Sequence, residues 1–432
     1  MYNIILITID SLRPDFIGCY NENAKKEELT PNIDNWAKDA VIFKTTISQG
    51  PRTPESFPAL LSGQYSCRYL DIYKGLSPQR VLISEILKKY NYYTAAFNTN
   101  PYISRHSGYN RGFDYYKDNL LTFGKHGLKK KFLMGYVRLR NLLKEPYIRA
   151  NKLNKQVLSW LKRANKPFFL WIHYMDVHGP YISKKGLILL NRIRAASLWH
   201  KAAGVYDHGL NDKEKHFLVE TYKEEVRHLD FYINDIFKNI DDTNTLTILT
   251  ADHGEMLGEH NLFGHGFELY EELLHIPLII KPPQEIPVKN KYIDTPVKSL
   301  DIVPTILDVL NVKANILFDG KSLLPLIQGN EDEYSSNEPI FSEIWTKYLA
   351  VRKGEWKLIA NYAGRKLKLF NLKEDPKEQN NLADKKPEVV SELKLLIKQH
   401  LLDINAPSED VEKWGFKIDE EIKAQLKALG YF

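Results

Sequence analysis

The chain has 432 residues, 43% hydrophobic and 26% charged, a composition that supports one large core or a large and a small domain. Two cysteines, Cys19 and Cys67, are too few for a disulfide framework or a cysteine metal cluster. A formal net charge of +6 suits an anionic substrate but is too weak to argue for nucleic acid.

The first apolar run, residues 3–9 (NIILITI), is short and β-branched, as expected of a strand buried on both faces of a parallel sheet. The start MYNIILITID has no basic n-region and no small-residue cleavage site, and no apolar run in the chain reaches the length of a membrane span; the expected location is cytoplasmic. The run ends at Asp10-Ser11, and ligand sites of open α/β sheets gather at the carboxyl ends of strands. Thr30-Pro31-Asn32 reads as a helix start running to about Ala40. The stretch Gly50–Gly63, GPRTPESFPALLSG, has proline and glycine punctuation around Thr53, with Ser56 expected to cap a short helix closed by Gly63. A hydroxyl just ahead of a helix N-terminus suits a tetrahedral oxyanion, although a threonine there is more often a structural cap.

A helix over 81–90 leads to a strand at 94–97, which ends at Asn98-Thr99-Asn100; residues 101–118 read as an irregular loop. From Lys125 to Arg163 the chain is basic, with KKK at 129–131 and one acid, Glu145; a second basic, apolar segment covers about 184–201. These read as helical insertions within about 125–205, as solvated faces or, more sharply for 125–163, as a dock for an acidic surface. PFFLWIH (167–173) is another buried strand, delivering Asp176 and His178 just beyond its end. A long helix is expected over about 212–239 on a stripe of Leu218, Tyr222, Val226, Leu229 and Ile233. TLTILT (245–250) runs into Asp252-His253, with His265 twelve positions after His253; HIPLII (275–280) is a further strand, and 301–310 a helix. Near 328–332 the composition turns acidic and loop-like. Short alternating strands at 348–352, 356–359 and 367–370 and a helix over 388–402 follow, so the expected domains are a catalytic 1–330 and an α+β 331–432.

Asp10, Thr53, Asp252 and His253 make a plausible divalent cation site. Hard carboxylate oxygens with one imidazole favour Zn²⁺ or Mn²⁺, with Ca²⁺ or Mg²⁺ less suited because of the histidine. A cation there would lower the pKa of the Thr53 hydroxyl and neutralise a phosphoryl or sulfuryl oxygen.

These residues resemble the sulfatase branch of the alkaline phosphatase superfamily. The likeness is carried by ILITIDSLRPD (5–15), TPESFPALLSG (53–63), FFLWIHYMDVHGPY (168–181), TADHGEMLGEHNLFGHG (250–266) and LFNLKEDPKEQNNLAD (369–384), in family order over nearly the whole chain. It implies a large mixed sheet flanked by helices, a small C-terminal subdomain with an antiparallel sheet, and a metal-dependent hydrolase of sulfate or phosphate esters. Several positions depart from the pattern. Thr53 stands where sulfatases carry the cysteine or serine that becomes formylglycine, and its β-carbon bears a methyl group, so no aldehyde can form. Glu55 and Phe57 replace the motif proline and arginine, Arg52 precedes the nucleophile, Ser11 replaces an aspartate, His253 an asparagine, and His265 a lysine. The set Asp10, Thr53, Asp252, His253 resembles the metal site of phosphodiesterases and phospho-headgroup transferases of that superfamily. Asp176, His178 and His265 complete a second metal site or bind substrate, with Asn100 and Arg52 as further substrate ligands and His178 and His265 as proton donors. The expectation is hydrolysis of phosphate mono- or diesters, on a small or polymeric anionic ester, with Thr53 as nucleophile and without formylglycine. An authentic sulfatase, a headgroup transferase acting on a glycan or lipid, and a non-catalytic binding protein are the alternatives.

Overall fold

The computed structural model describes residues 1–69, 75–118, 147–165, 167–181, 188–202, 209–266, 268–330, 334, 337–344, 347–361 and 364–404. Most of the basic 125–163 segment, including 129–131, lies outside the described residues. Its end forms a helix, Ala150–Leu161, and the second basic segment contains the helix Ile188–Ala202. Among the described residues no helix is long and apolar enough to cross a membrane.

The central sheet takes its strands from across the chain: β1 (Asn3–Ile9), β2 (Val41–Ile47), β3 (Tyr93–Asn98), β4 (Tyr115–Asp118), β5 (Phe168–Tyr174) and β6 (Thr245–Ala251). A small ribbon, β7 (Met256–Leu257) with β8 (Phe263–Gly264), precedes β9 (His275–Lys281) and the two short strands β10 (Tyr292–Ile293) and β11 (Val297–Lys298). The order is β10-β2-β9-β6-β1-β5-β3-β4, with β11 also on β2. β1 lies parallel between β5 and β6, and β3 is parallel to β5 and β4. β9 is antiparallel to both neighbours, β6 and β2. That single reversal leaves β1, β2, β3, β5 and β6 all pointing the same way, so their carboxyl ends share one edge.

The alternation of β1 explains why its run is continuously apolar. Ile5, Ile7 and Ile9 pack into a core with the long helix Asp212–Phe237, while Ile4 and Leu6 face the opposite core with Phe57 and Ile306. The long helix starts at a capping box, Asn211 with Glu214, and buries Leu218, Tyr222, Val226, Leu229 and Ile233, the expected stripe. Three local expectations are corrected. The helix after Gly50 is capped at Arg52, not at the expected Ser56, and begins at Thr53: Pro54 sits in its first turn, where a missing N–H costs nothing. Residues 101–118 are not simply irregular, because Tyr115–Asp118 adds a parallel edge strand to β3. β2 was not expected, since VIFKTTI carries Lys44 and two threonines near its middle.

The C-terminal part is a four-stranded antiparallel sheet of β12 (Ile340–Ile344), β13 (Tyr348–Lys353), β14 (Trp356–Asn361) and β15 (Leu367–Asn371), covered by the helix Pro387–Asp403. That helix buries His400 flat against Phe341, ring centroids 3.9 Å apart, with Tyr65 edge-on at 4.5 Å. Burial, with Arg68 and Lys298 nearby, pushes the His400 imidazole down to about 3. The unfolded chain therefore binds a proton here from about pH 6.5 downward while the folded chain refuses it until about 3, so stability is lost as pH falls through that window. His400→Phe is expected to remove a component of roughly 1.4 kcal/mol per pH unit from the acid-side loss. Melting temperatures of both proteins between pH 6.5 and 3 check this; parallel curves would contradict it.

Candidate active site

Five strand ends supply the site. Asp10 follows β1, the Thr53 turn follows β2, Asn100 follows β3, His178 follows β5, and Asp252-His253 follow β6. Asp10, Asp252 and His253 are fully buried, and their ligating atoms all lie within 4.8 Å of one another. His253 Nε2 stands 3.7 Å from Asp10 Oδ1 and 3.4 Å from Asp252 Oδ2, and it has no hydrogen-bond partner among the described residues. Its other nitrogen faces the Gly254 carbonyl at 2.8 Å, which fixes the ring.

The charges do not balance within the protein. Burial and the adjacent Asp10 push the Asp252 carboxyl well above its ordinary range. For Asp10 burial acts in the same upward direction, but His178, His173 and His253 outweigh it and hold the carboxyl below that range. Burial and the neighbouring His265 push His253 down to about 3, so it is a neutral ligand rather than a counter-ion. Two buried carboxylates, one neutral imidazole with an orphaned nitrogen, and a hydroxyl are a donor set that fits a divalent cation.

Thr53 is the first residue of its helix, at the positive end of the dipole. Its Oγ1 donates to Asp252 Oδ2 at 3.1 Å and accepts from Asn100 Nδ2 at 3.3 Å; the same Asn100 amide donates to Asp10 Oδ2 at 2.8 Å. Asn100 thus ties the nucleophile candidate to the metal-ligand candidate. The turn is tight: a Cβ on Gly50 would lie 2.3 Å from the Glu55 Cβ. It is also held from both sides. Ser48 Oγ donates to the Asp252 carbonyl at 2.6 Å, Ser342 Oγ of β12 donates to the Ser48 carbonyl at 2.6 Å, and the Glu343 N–H donates to the Gln49 carbonyl at 3.0 Å. On the other side of Asp10, Ser11 adopts φ 59°, a strained left-handed conformation, with its carbonyl held by the Tyr222 hydroxyl at 2.8 Å.

His178 and His265 are half-buried, their ring centroids 5.0 Å apart, and His265 lies 4.4 Å from the ring of His253. They line the more open side of the trio. His265 Nδ1 is 3.2 Å from the buried Glu255 carboxylate; burial pulls this imidazole down, but Glu255 outweighs it and raises the pKa above the ordinary value. Arg52 is committed to a two-pronged pair with Glu55 and runs beside Gly266.

Asp176 is placed differently from the other candidates. Its carboxylate accepts from Arg149 Nε at 3.1 Å and from the Ala150 N–H at 3.0 Å, capping the helix Ala150–Leu161, while Arg149 also pairs with Glu225. The three side chains are 0–1% exposed. Among the described residues a single group of three metal-ligating side chains assembles, and Asp176 is not in it. Two residues with roles here were not singled out from the sequence: Glu255, which braces His265, and His173, whose Nε2 lies 3.4 Å from Asp10 Oδ2. The signals were weak: His173 is a polar residue inside an apolar run, and Glu255 follows Asp252-His253 in the loop beyond β6.

A hydroxyl at a helix N-terminus faces two carboxylates and an imidazole on the carboxyl edge of a mixed sheet, a group that could hold a metal ion. The Sulfatase family matches residues 2–312, and the family described as N-sulphoglucosamine sulphohydrolase, C-terminal, matches 258–406; the chain belongs to the sulfatase family, hydrolases acting on ester bonds. Uncharacterized sulfatase YidJ of Escherichia coli is 24% identical over 424 residues, covering 88% of this chain and 83% of that protein. Arylsulfatase K of Gallus gallus is 24% identical, covering 92% and 82%. The solved phosphonate monoester hydrolase of Agrobacterium radiobacter superposes with a TM-score of 0.70 at 17% identity, covering 94% of this chain and 96% of that one.

Asp176→Asn separates one metal from two. It should lower the melting temperature by breaking a buried pair, a loss of about 3–5 kcal/mol, yet leave the metal-to-protein ratio at that of the parent; elemental analysis of both proteins measures this, and a lost equivalent would make Asp176 a ligand.

Proposed function

We propose that this chain is a metal-dependent hydrolase of phosphate mono- or diesters with Thr53 as its nucleophile. The observation that carries the reading is the Thr53 hydroxyl, 3.1 Å from Asp252 Oδ2 at the start of a helix, on a residue that cannot become formylglycine. A divalent cation held by Asp10, Asp252, His253 and the Thr53 hydroxyl would supply positive charge that acidifies this hydroxyl and offsets charge on a phosphoryl oxygen. Zn²⁺ or Mn²⁺ fits the donor set best.

The residues then divide the work. Thr53 Oγ1 forms a bond to phosphorus as the bond to the leaving oxygen breaks, and its proton passes to Asp252, the acceptor it already faces. His265, braced by Glu255, or the neighbouring His178 gives a proton to the departing alcohol. Water next attacks the phospho-threonine: the histidine takes back a proton, Asp252 returns one to Thr53 Oγ1, and inorganic phosphate leaves when the substrate is a monoester, a phosphate monoester when it is a diester. The backbone at the helix N-terminus adds positive potential beside the attacked group. Substrate enters from the side of His178 and His265, the half-buried members of the cluster.

Sulfate-ester hydrolysis is the second reading, favoured by family membership and by the likeness to arylsulfatase K over 92% of the chain. The missing aldehyde weighs against it, because Thr53 lacks the hydrated carbonyl through which formylglycine expels sulfate. A panel of phosphate monoesters, diesters, phosphonates and aryl sulfates, assayed after Zn²⁺ or Mn²⁺ loading, decides. Phosphorus esters are expected to turn over faster than aryl sulfates, and Thr53→Ala should lose at least about 10³-fold in kcat with the fold intact. A phosphoryl adduct on Thr53, seen by mass spectrometry of quenched enzyme, is the direct sign. Activity surviving in Thr53→Ala would sink the nucleophile assignment, and faster aryl sulfate turnover the phosphate preference.

A further inference from the structure

We propose that His173 is a positioning residue for Asp10, a fixed Nε2–H donor that aims the carboxylate at the cation; this rests on the metal-site reading above. His173 is the register partner of Thr8, and both are fully buried polar residues inside apolar strands. Their arrangement decides where the imidazole hydrogen sits. Thr8 Oγ1 accepts the Trp171 Nε1–H at 3.0 Å, which leaves its own hydrogen to donate. The nearer acceptor is His173 Nδ1 at 2.9 Å; the Ile172 carbonyl is at 3.4 Å. A ring nitrogen that accepts carries no hydrogen, so the hydrogen is on Nε2.

That nitrogen faces Asp10 Oδ2 at 3.4 Å and has no hydrogen-bond partner among the described residues. Phe57 meets the ring edge-on, centroids 5.0 Å apart at 89°, and blocks its rotation. Asp10 Oδ2 thus faces His173 and Asn100, while Oδ1 is the oxygen set toward His253 Nε2. Indole, hydroxyl and imidazole form one hydrogen-bonded chain from β5 to β1 and back, whose last nitrogen faces the carboxylate of a ligand residue. Outer partners of this kind fix a ligand's orientation and raise its affinity for the cation.

Zn²⁺ and Mn²⁺ affinities of the full chain, each cation alone, are measured by competition with a chromogenic chelator. His173→Met is expected to weaken binding about 10- to 100-fold. His173→Gln, whose amide N–H reaches toward the same oxygen, should retain most of the affinity, and Thr8→Val, which keeps the ring but removes the hydroxyl that selects its tautomer, should fall between. Circular dichroism and melting curves establish that each variant is folded. Independently of metal and of substitution, ring ¹H–¹⁵N correlations of the parent should show His173 protonated at Nε2 and bare at Nδ1. Affinity of a folded His173→Met equal to the parent, or a hydrogen on Nδ1, overturns the assignment alone. A parent that binds neither cation, indistinguishable from Asp10→Asn, overturns the metal trio and this assignment together.

Discussion

Two carboxylates that cannot both be charged in isolation set the terms for this molecule. Asp10 and Asp252 are fully buried and close, and neither has an arginine or lysine partner in the described hydrogen bonds and ion pairs. The chain answers with polarity rather than charge: Ser11, Asn100, Thr53 and His173 all turn a donor or a ring nitrogen toward one of the two oxygen pairs. Such donors orient a carboxylate but do not neutralise it. The arrangement makes sense as a receptacle whose missing charge arrives from outside, and the nucleophile candidate is one of the groups enforcing it.

The histidines divide by depth. His173 and His253 are sealed in beside the carboxylates; His178 and His265 are half-buried. Depth also separates Asp176 from its sequence neighbour His178, two residues on. One turn of chain carries the carboxylate inward to Arg149 and a helix N-terminus, while the imidazole stays at the mouth. A cluster of metal-ligating residue types along a sequence is therefore not a cluster in space, because the helix Ala150–Leu161 needed a cap and took the nearest carboxylate.

Much of the fold was legible. The continuous apolar runs at 3–9, 167–173 and 245–250 are central strands, and the stripe from Leu218 to Ile233 is a buried helix face. The polar residues beyond these runs and beyond the 94–97 strand, Asp10, Asn100, His178 and Asp252-His253, stand out for one reason: a strand buried on both faces puts most of its polar residues past its end. What escaped notice broke that logic. β2 mixes Lys44 and threonines into its run because it borders the short strands β10 and β11, with Lys44 exposed. His173 lies inside a buried run, where a polar side chain reads as noise until its partner Thr8 is seen opposite. The sequence pattern puts the cap of the Thr53 helix four residues late, at Ser56 instead of Arg52, because Pro54 reads as a breaker although it belongs to the first turn.

The grip of β12 on the Ser48–Gly50 loop changes what the C-terminal sheet is for. The shift of pattern near residue 330 suggests an appendix that a catalytic body could do without. Yet Ser342 and Glu343 hold consecutive carbonyls of the loop that presents Thr53, and Ser48 in turn holds the carbonyl of Asp252. The seam between the two sheets thus runs through the support of the reaction centre. Composition divides this chain into modules, but its chemistry is not modular: divergence in the C-terminal sheet is constrained by the placement of a hydroxyl that the sheet never touches.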